Sequence, residues 1–189
     1  MPSRKAVFDI GVAGPIAGFI ALIPIAVIGL ATMQTATAEQ IANSGGIVFS
    51  DPLLMKLFAW FLGIDLNFGI GNAFYFAAWV GLLVTALNLI PSGQLDGGHA
   101  IYSVFGGGMI HRMTGIIAFV IMAALSILGW IYFNSPSGFL IAILLGVMMR
   151  IRHPEPFDQG PLDAKRKFIA FLTLVIFILC FVPFPIQIT

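Results

Sequence analysis

The chain has 189 residues, of which 59% are hydrophobic and only 9% charged, with a formal net charge of +1. An ordinary soluble domain carries about a quarter of its residues as charges, so this composition excludes one. The near-neutral balance, with nine Lys and Arg split among short segments, also excludes a nucleic-acid partner. A mean hydropathy of +1.03 makes lipid the expected solvent.

Charges are absent from 10–38, 66–95, 113–149 and 168–189. A helix rising 1.5 Å per residue needs about 20 apolar residues to cross a hydrocarbon core of about 30 Å, so each run is long enough to span. The first is expected to be a helix over 10–33. It is too long for a signal-peptide core and is read as a retained membrane helix. Gly14 and Gly18 within it have the small-xxx-small spacing of helix packing, and Pro15 is a kink or break point. The stretch 34–71 is more polar: residues 43–46 (NSGG) are turn material, and Asp51-Pro52 is expected to start a short helix over 53–62. That helix carries a lysine and a tryptophan in only ten residues and fits a membrane interface better than a span.

A second span is expected over 72–90, leading into NLIPSGQLDGGH at 88–99. Residues 106–108 (GGG) form a flexible loop. The uncharged run that follows is divided near 134–138 (NSPSG), with Ser135 as the N-cap and Pro136 as the first residue of a short helix ending near Arg150. The last span covers 168–182, and Cys180 within it packs as a small hydrophobe. If the short helix spans, all the basic segments fall on one side. By the positive-inside rule the basic loop 150–167 is then cytoplasmic and the acidic loop 34–71 is not. The expected architecture is all-α, a single membrane-embedded domain over 1–189 with about five spans and one interfacial helix.

Asp96 is the position richest in chemical information. A carboxylate at the end of an apolar span is costly unless it pairs, binds an ion or lines a cavity. Pro91, Gly93, Gly97 and Gly98 around it specify a broken backbone, which at membrane depth is tolerated only where buried or beside water. Read alone, the segment suits a metal site, an extended peptide or the ion site of a small transporter. No internal repeat accompanies it, which weakens the transporter reading.

Asn88, Pro91 and the run from Leu95 to Gly98 resemble the N-x-x-P-x-x-x-L-D-G-G pattern of the site-2 proteases, intramembrane zinc metallopeptidases. The opening FDIGVAGPIAGF is similar to the glycine-proline helix that follows the zinc-binding helix in that family. The closing PLDAKRKFIAFLTLVIFILCFVPFPI is similar to the end of the bacterial and chloroplast branch lacking a PDZ insertion. This resemblance implies Asp96 as the third protein ligand of a catalytic zinc and a transmembrane helix as substrate. It further implies Asn88, Pro91, Gly97 and Gly98 as support for substrate or backbone, and Gly14, Pro15 and Gly18 in helix packing.

The other two ligands would be histidines of an HExxH helix, whose glutamate is the general base. This sequence contains no such motif. Its three histidines, His99, His111 and His153, include no i, i+4 pair, and only His99 lies near Asp96 in sequence. Gly18 also stands where many relatives carry asparagine. The resemblance therefore implies that the chain is the later part of a larger catalytic unit, with Met1 at an internal position and no activity alone. A non-catalytic relative that binds membrane helices is the alternative.

Overall fold

The computed structural model describes residues 3–37, 39–40, 46–106, 109–150 and 160–188. It is mostly helical, with seven α-helices among the described residues: α1 (Arg4–Ala31), α2 (Leu53–Leu62), α3 (Ala73–Leu89), α4 (Asp96–Phe105), α5 (Met109–Phe133), α6 (Ser137–Met148) and α7 (Ala164–Cys180). His153, residues 43–45, Gly107, Gly108 and residues 151–159 of the 150–167 loop lie outside the described residues.

Of these helices, α1 and α5 are long and apolar enough to cross a bilayer. Both are largely unburied, with Ile10, Ile20, Val120 and Ile131 more than half exposed. Helices apolar on every face are expected where lipid is the surroundings. The remaining helices have 17 residues or fewer, at most about 26 Å of rise.

α1 begins at Arg4, six residues before the apolar run, because Ser3 caps it by accepting from the Ala6 N–H and because its polar first turns find partners. The Arg4 guanidinium donates to the carbonyls of Ser103 (2.7 Å) and Val104 (3.1 Å) at the C-terminus of α4, where the helix dipole favours a cation. Asp9 pairs with Arg166 at 2.6 Å, and Arg166 also pairs with Asp163, the N-cap of α7. These contacts tie together one end of the bundle.

The opposite end is tied by short ribbons that the all-α expectation leaves out. β1 (Gln34–Thr35) pairs with β3 (Gly69–Ile70), and β2 (Ile47–Phe49) pairs antiparallel with β4 (Ile186–Ile188). The Asn134 carbonyl accepts from the Ile188 N–H, and the Ser50 N–H donates to the Pro185 carbonyl. Here the expectation for Ser135 needs correction. Pro136 is the N-cap residue, α6 starts at Ser137, and the Ser135 hydroxyl instead donates to the Ile186 carbonyl at 2.5 Å. The stronger offer of a buried carbonyl on the ribbon displaces the local cap.

The main core lies among α1, α2, α3 and α7, with Leu30, Met55, Trp79, Leu82 and Cys180 buried in it. Cys180 packs there as a small hydrophobe. α2 occupies the expected 53–62 and lays Leu54, Met55 and Ala59 on this core while Trp60 and Phe61 face outward. The Asp51 carboxylate just before α2 accepts from the Tyr75 hydroxyl of α3, and Trp79 donates its indole N–H to the Ser50 carbonyl.

The Asp163 carboxyl is held below the usual carboxylate range, first by the Arg166 backbone N–H and then by its side chain. A depressed carboxyl adds stability above its unfolded value, lost as pH falls through the lower folded value. Thermal stability in detergent is therefore expected to fall below about pH 4. The loss should be shallower in Asp163→Asn, which keeps the cap but removes the charge.

Candidate metal-binding segment

The α3 helix ends at Leu89, and α4 does not begin until Asp96. Between them the backbone makes two tight closures, Ser92 N–H to Ile90 O at 2.8 Å and Leu95 N–H to Ser92 O at 3.1 Å. Pro91 sits inside this break, as the sequence requires of a residue that cannot continue a helix. Gly93 takes φ +53. A Cβ on it would stand 2.3 Å from the Met148 carbonyl oxygen, so the end of α6 packs directly onto the break.

Gly97 and Gly98 serve close approach. A Cβ at Gly97 would fall 2.0 Å from the Leu89 carbonyl oxygen, and one at Gly98 2.4 Å from that of Gly93. The first turn of α4 is thus folded back on the chain that leads into it. Asn88 is exposed at the end of α3, and its amide has no hydrogen-bond partner among the described residues. The break is held by backbone closures and glycine contacts, not by this side chain.

Asp96 is the first residue of α4, where the exposed N–H groups of the helix end favour negative charge. It is half-buried, and among the described residues its carboxylate has neither a hydrogen bond nor an ion pair. α1 covers this turn: Gly11 lies against His99 and the Asp96 carbonyl, and a Cβ there would be 2.8 Å from the His99 Cβ. Pro15, buried on the same helix, lacks the N–H that would satisfy the carbonyl at position 11. The glycine-proline segment is therefore the surface on which the Asp96 turn rests. A Cβ at Gly18 would lie 3.9 Å from the Thr85 hydroxyl of α3, Gly14 has open space, and α1 packs tightly on α3 at Gly29, where a Cβ would fall 2.5 Å from the Tyr75 backbone nitrogen. His99 engages the main chain of Gln94, and His111 stacks edge-on against Tyr102.

Sequence reasoning did not single out Gly11, Gly29 or Arg4 as contact residues. The signal that could have found Gly11 is its spacing from Pro15, since a proline frees the carbonyl four residues earlier.

Arg4→Ala should cost about 1 to 2 kcal/mol, the worth of charge-assisted hydrogen bonds at a partly exposed helix end. Arg4→Lys should recover only part, because one ammonium cannot match the fork of donors. Thermal melts of the two variants in detergent check this.

Two exposed apolar helices long enough to cross a bilayer, and a half-buried carboxylate on a broken segment that has no partner among the described residues, fit the class of membrane proteins. The model of peptidase family M50 matches residues 1–129, and the chain belongs to that family, the site-2 proteases, membrane-embedded zinc metalloproteases. It is 28% identical to the probable zinc metalloprotease EGY2 of Arabidopsis thaliana, a chloroplast protein, over 98% of this chain and 33% of the relative. It is 33% identical to the probable chloroplast zinc metalloprotease EGY1 of rice, Oryza sativa subsp. japonica, over 56% of this chain and 19% of the relative. A DDT domain-containing protein, PTM, of Arabidopsis thaliana is 28% identical over 68% of this chain and 8% of its own length. The chain thus spans a third or less of these relatives. No solved structure matches it.

Zinc is the cofactor of this family, and the residues here can be tested against it. Among the described residues no three of His, Cys, Asp or Glu converge, and the sequence has no HExxH. Asp96 suits one position of a zinc site, but a protein zinc site takes three or four ligands. The described residues do not hold the metal by themselves.

Proposed function

We propose that this chain supplies Asp96 as one protein ligand of an intramembrane zinc metalloendopeptidase that cleaves transmembrane helices. The HExxH histidines and glutamate come from outside these 189 residues, and the chain alone is inactive. The observation that carries this reading is the half-buried Asp96 carboxylate, which has no partner among the described residues, a costly arrangement at membrane depth unless a ligand satisfies it. Membership of the M50 family supports it. Asn88, exposed beside the break, is placed to contact an unwound substrate backbone. Pro91, Gly97 and Gly98 keep the turn folded back, while Pro15 buttresses it and Gly18 packs α1 on α3.

Five helices run end to end in this reading: α1, α3, α5, α6 and α7. Support comes from the contacts of α6, which leaves the ribbon end at Ser137 and reaches the Asp96 end at Met148. With the basic segments at the Asp96 end, loop 150–167 is cytoplasmic and loop 34–71, with α2 at the interface, is not.

Zinc analysis of the purified chain tests the ligand count. The expected content is well below one zinc per chain, rising to one when an HExxH-bearing segment of a relative is co-expressed. Stoichiometric zinc in the chain alone, lost in Asp96→Ala, would overturn the division of ligands.

A further inference from the structure

A groove runs between α4 and α7 with a cavity of about 350 Å³, inside the range of small-molecule pockets of about 300–1,000 Å³. Its walls come from Pro91, Ile101, Phe105, Phe171, Leu174 and Phe177, among other apolar residues. Of the described residues that line it, only Lys167 is ionisable.

The charge around that lysine is unusual for a helix start. Lys165, Arg166 and Lys167 all lie in the first turn of α7, the end where the helix dipole disfavours cations. Arg166 pairs with both Asp9 and Asp163. Lys167 is exposed and, among the described residues, has no ion pair. A long apolar slot with a lysine at one end that has no ion pair among the described residues matches an amphiphile with one acyl chain and an anionic head. Basic pockets between membrane helices are known to hold the phosphates of anionic lipids.

We propose that this groove binds one anionic phospholipid of the surrounding bilayer, with an acyl chain between α4 and α7 and its phosphate on Lys167. The site reaches the Asp96 turn through Pro91 and Gly97, so the lipid buttresses the break. The inference does not depend on zinc or on proteolysis, only on the chain lying in a membrane.

Native mass spectrometry of the detergent-purified chain, titrated with phosphatidylglycerol or phosphatidylcholine, is the test. One phosphatidylglycerol should be retained about fivefold better than phosphatidylcholine, the preference expected from a single lysine at a membrane surface. Lys167→Gln should bring the two close to parity. Leu174→Trp, at a half-exposed wall position where the fold tolerates bulk, should cut retention of both about tenfold. Equal retention of the two lipids by the unmodified chain, or undiminished retention in Leu174→Trp, would overturn the proposal. A benzophenone side chain at the exposed Phe171, photolysed in bilayers containing phosphatidylglycerol, should give an adduct of phospholipid mass. A polypeptide adduct would instead assign the groove to a protein helix and sink the lipid reading.

Discussion

Gly97→Ala is expected to unfold the chain or to destabilise it by more than about 3 kcal/mol, near or beyond the upper end of ordinary overpacking costs. The added methyl would lie 2.0 Å from the Leu89 carbonyl oxygen and 2.4 Å from its carbonyl carbon. Both are backbone atoms of a helix end that is itself buried in the core, so no side chain can swing away. Relief requires α4 to lift from α3, and Asp96, the residue before Gly97, moves with it. Gly14→Ala is the matched control, because nothing lies within 4 Å of the new methyl and alanine favours a helix by about 1 kcal/mol over glycine. Denaturant titration in detergent, followed by tryptophan fluorescence, should show a collapse in the first variant and an unchanged or raised midpoint in the second. Equal midpoints would mean that the folded-back turn is not the native arrangement.

The second large effect concerns the completed protease. When the HExxH part is supplied, Asp96→Asn should lower cleavage of a transmembrane reporter by more than about 100-fold, beyond the 10- to 100-fold typical of changes one shell further out. Bound zinc should fall in parallel, since an amide oxygen is a weaker ligand than a carboxylate. The variant is nearly isosteric, and the carboxylate it replaces makes no hydrogen bond among the described residues. Its circular dichroism and melting should therefore match the parent. Full zinc and full activity in Asp96→Asn would remove Asp96 from the ligand set.

Much of the helical layout was legible in the order of residues. The 53–62 helix is found with the expected limits, and α3 lies within one residue of the expected 72–90 at each end. Asn72, a strong N-cap type, and Pro91 punctuate that segment unambiguously. The starts of α1 and α7 were less legible. Both extend into charged residues, because Arg4, Asp9 and Arg166 satisfy one another or backbone carbonyls across the bundle, and apolar run length carries no trace of such pairings. The two ribbons escape for a different reason: strands of two or three residues have no measurable period, and β2 meets β4 across more than a hundred residues of chain. Around Asp96, the proline and glycines announced a break, while the partner surface on α1 at Gly11 depends on a three-dimensional approach that spacing alone does not specify.

The β2–β4 pairing also has a consequence for the order of assembly. Its second strand, with the carbonyls of Pro185 and Ile186 that receive Ser50 and Ser135, is synthesised after every helix. Neighbouring helices can associate as they emerge, but this clasp closes a loop of more than a hundred residues, and loop closure grows costlier with length. Until it closes, residues 47–49 present unpaired strand edge, the kind of surface that invites pairing with another chain. A chain released just short of residue 185 would therefore hold its helices with this clasp unfastened, a species exposed to misassembly and to quality-control proteases.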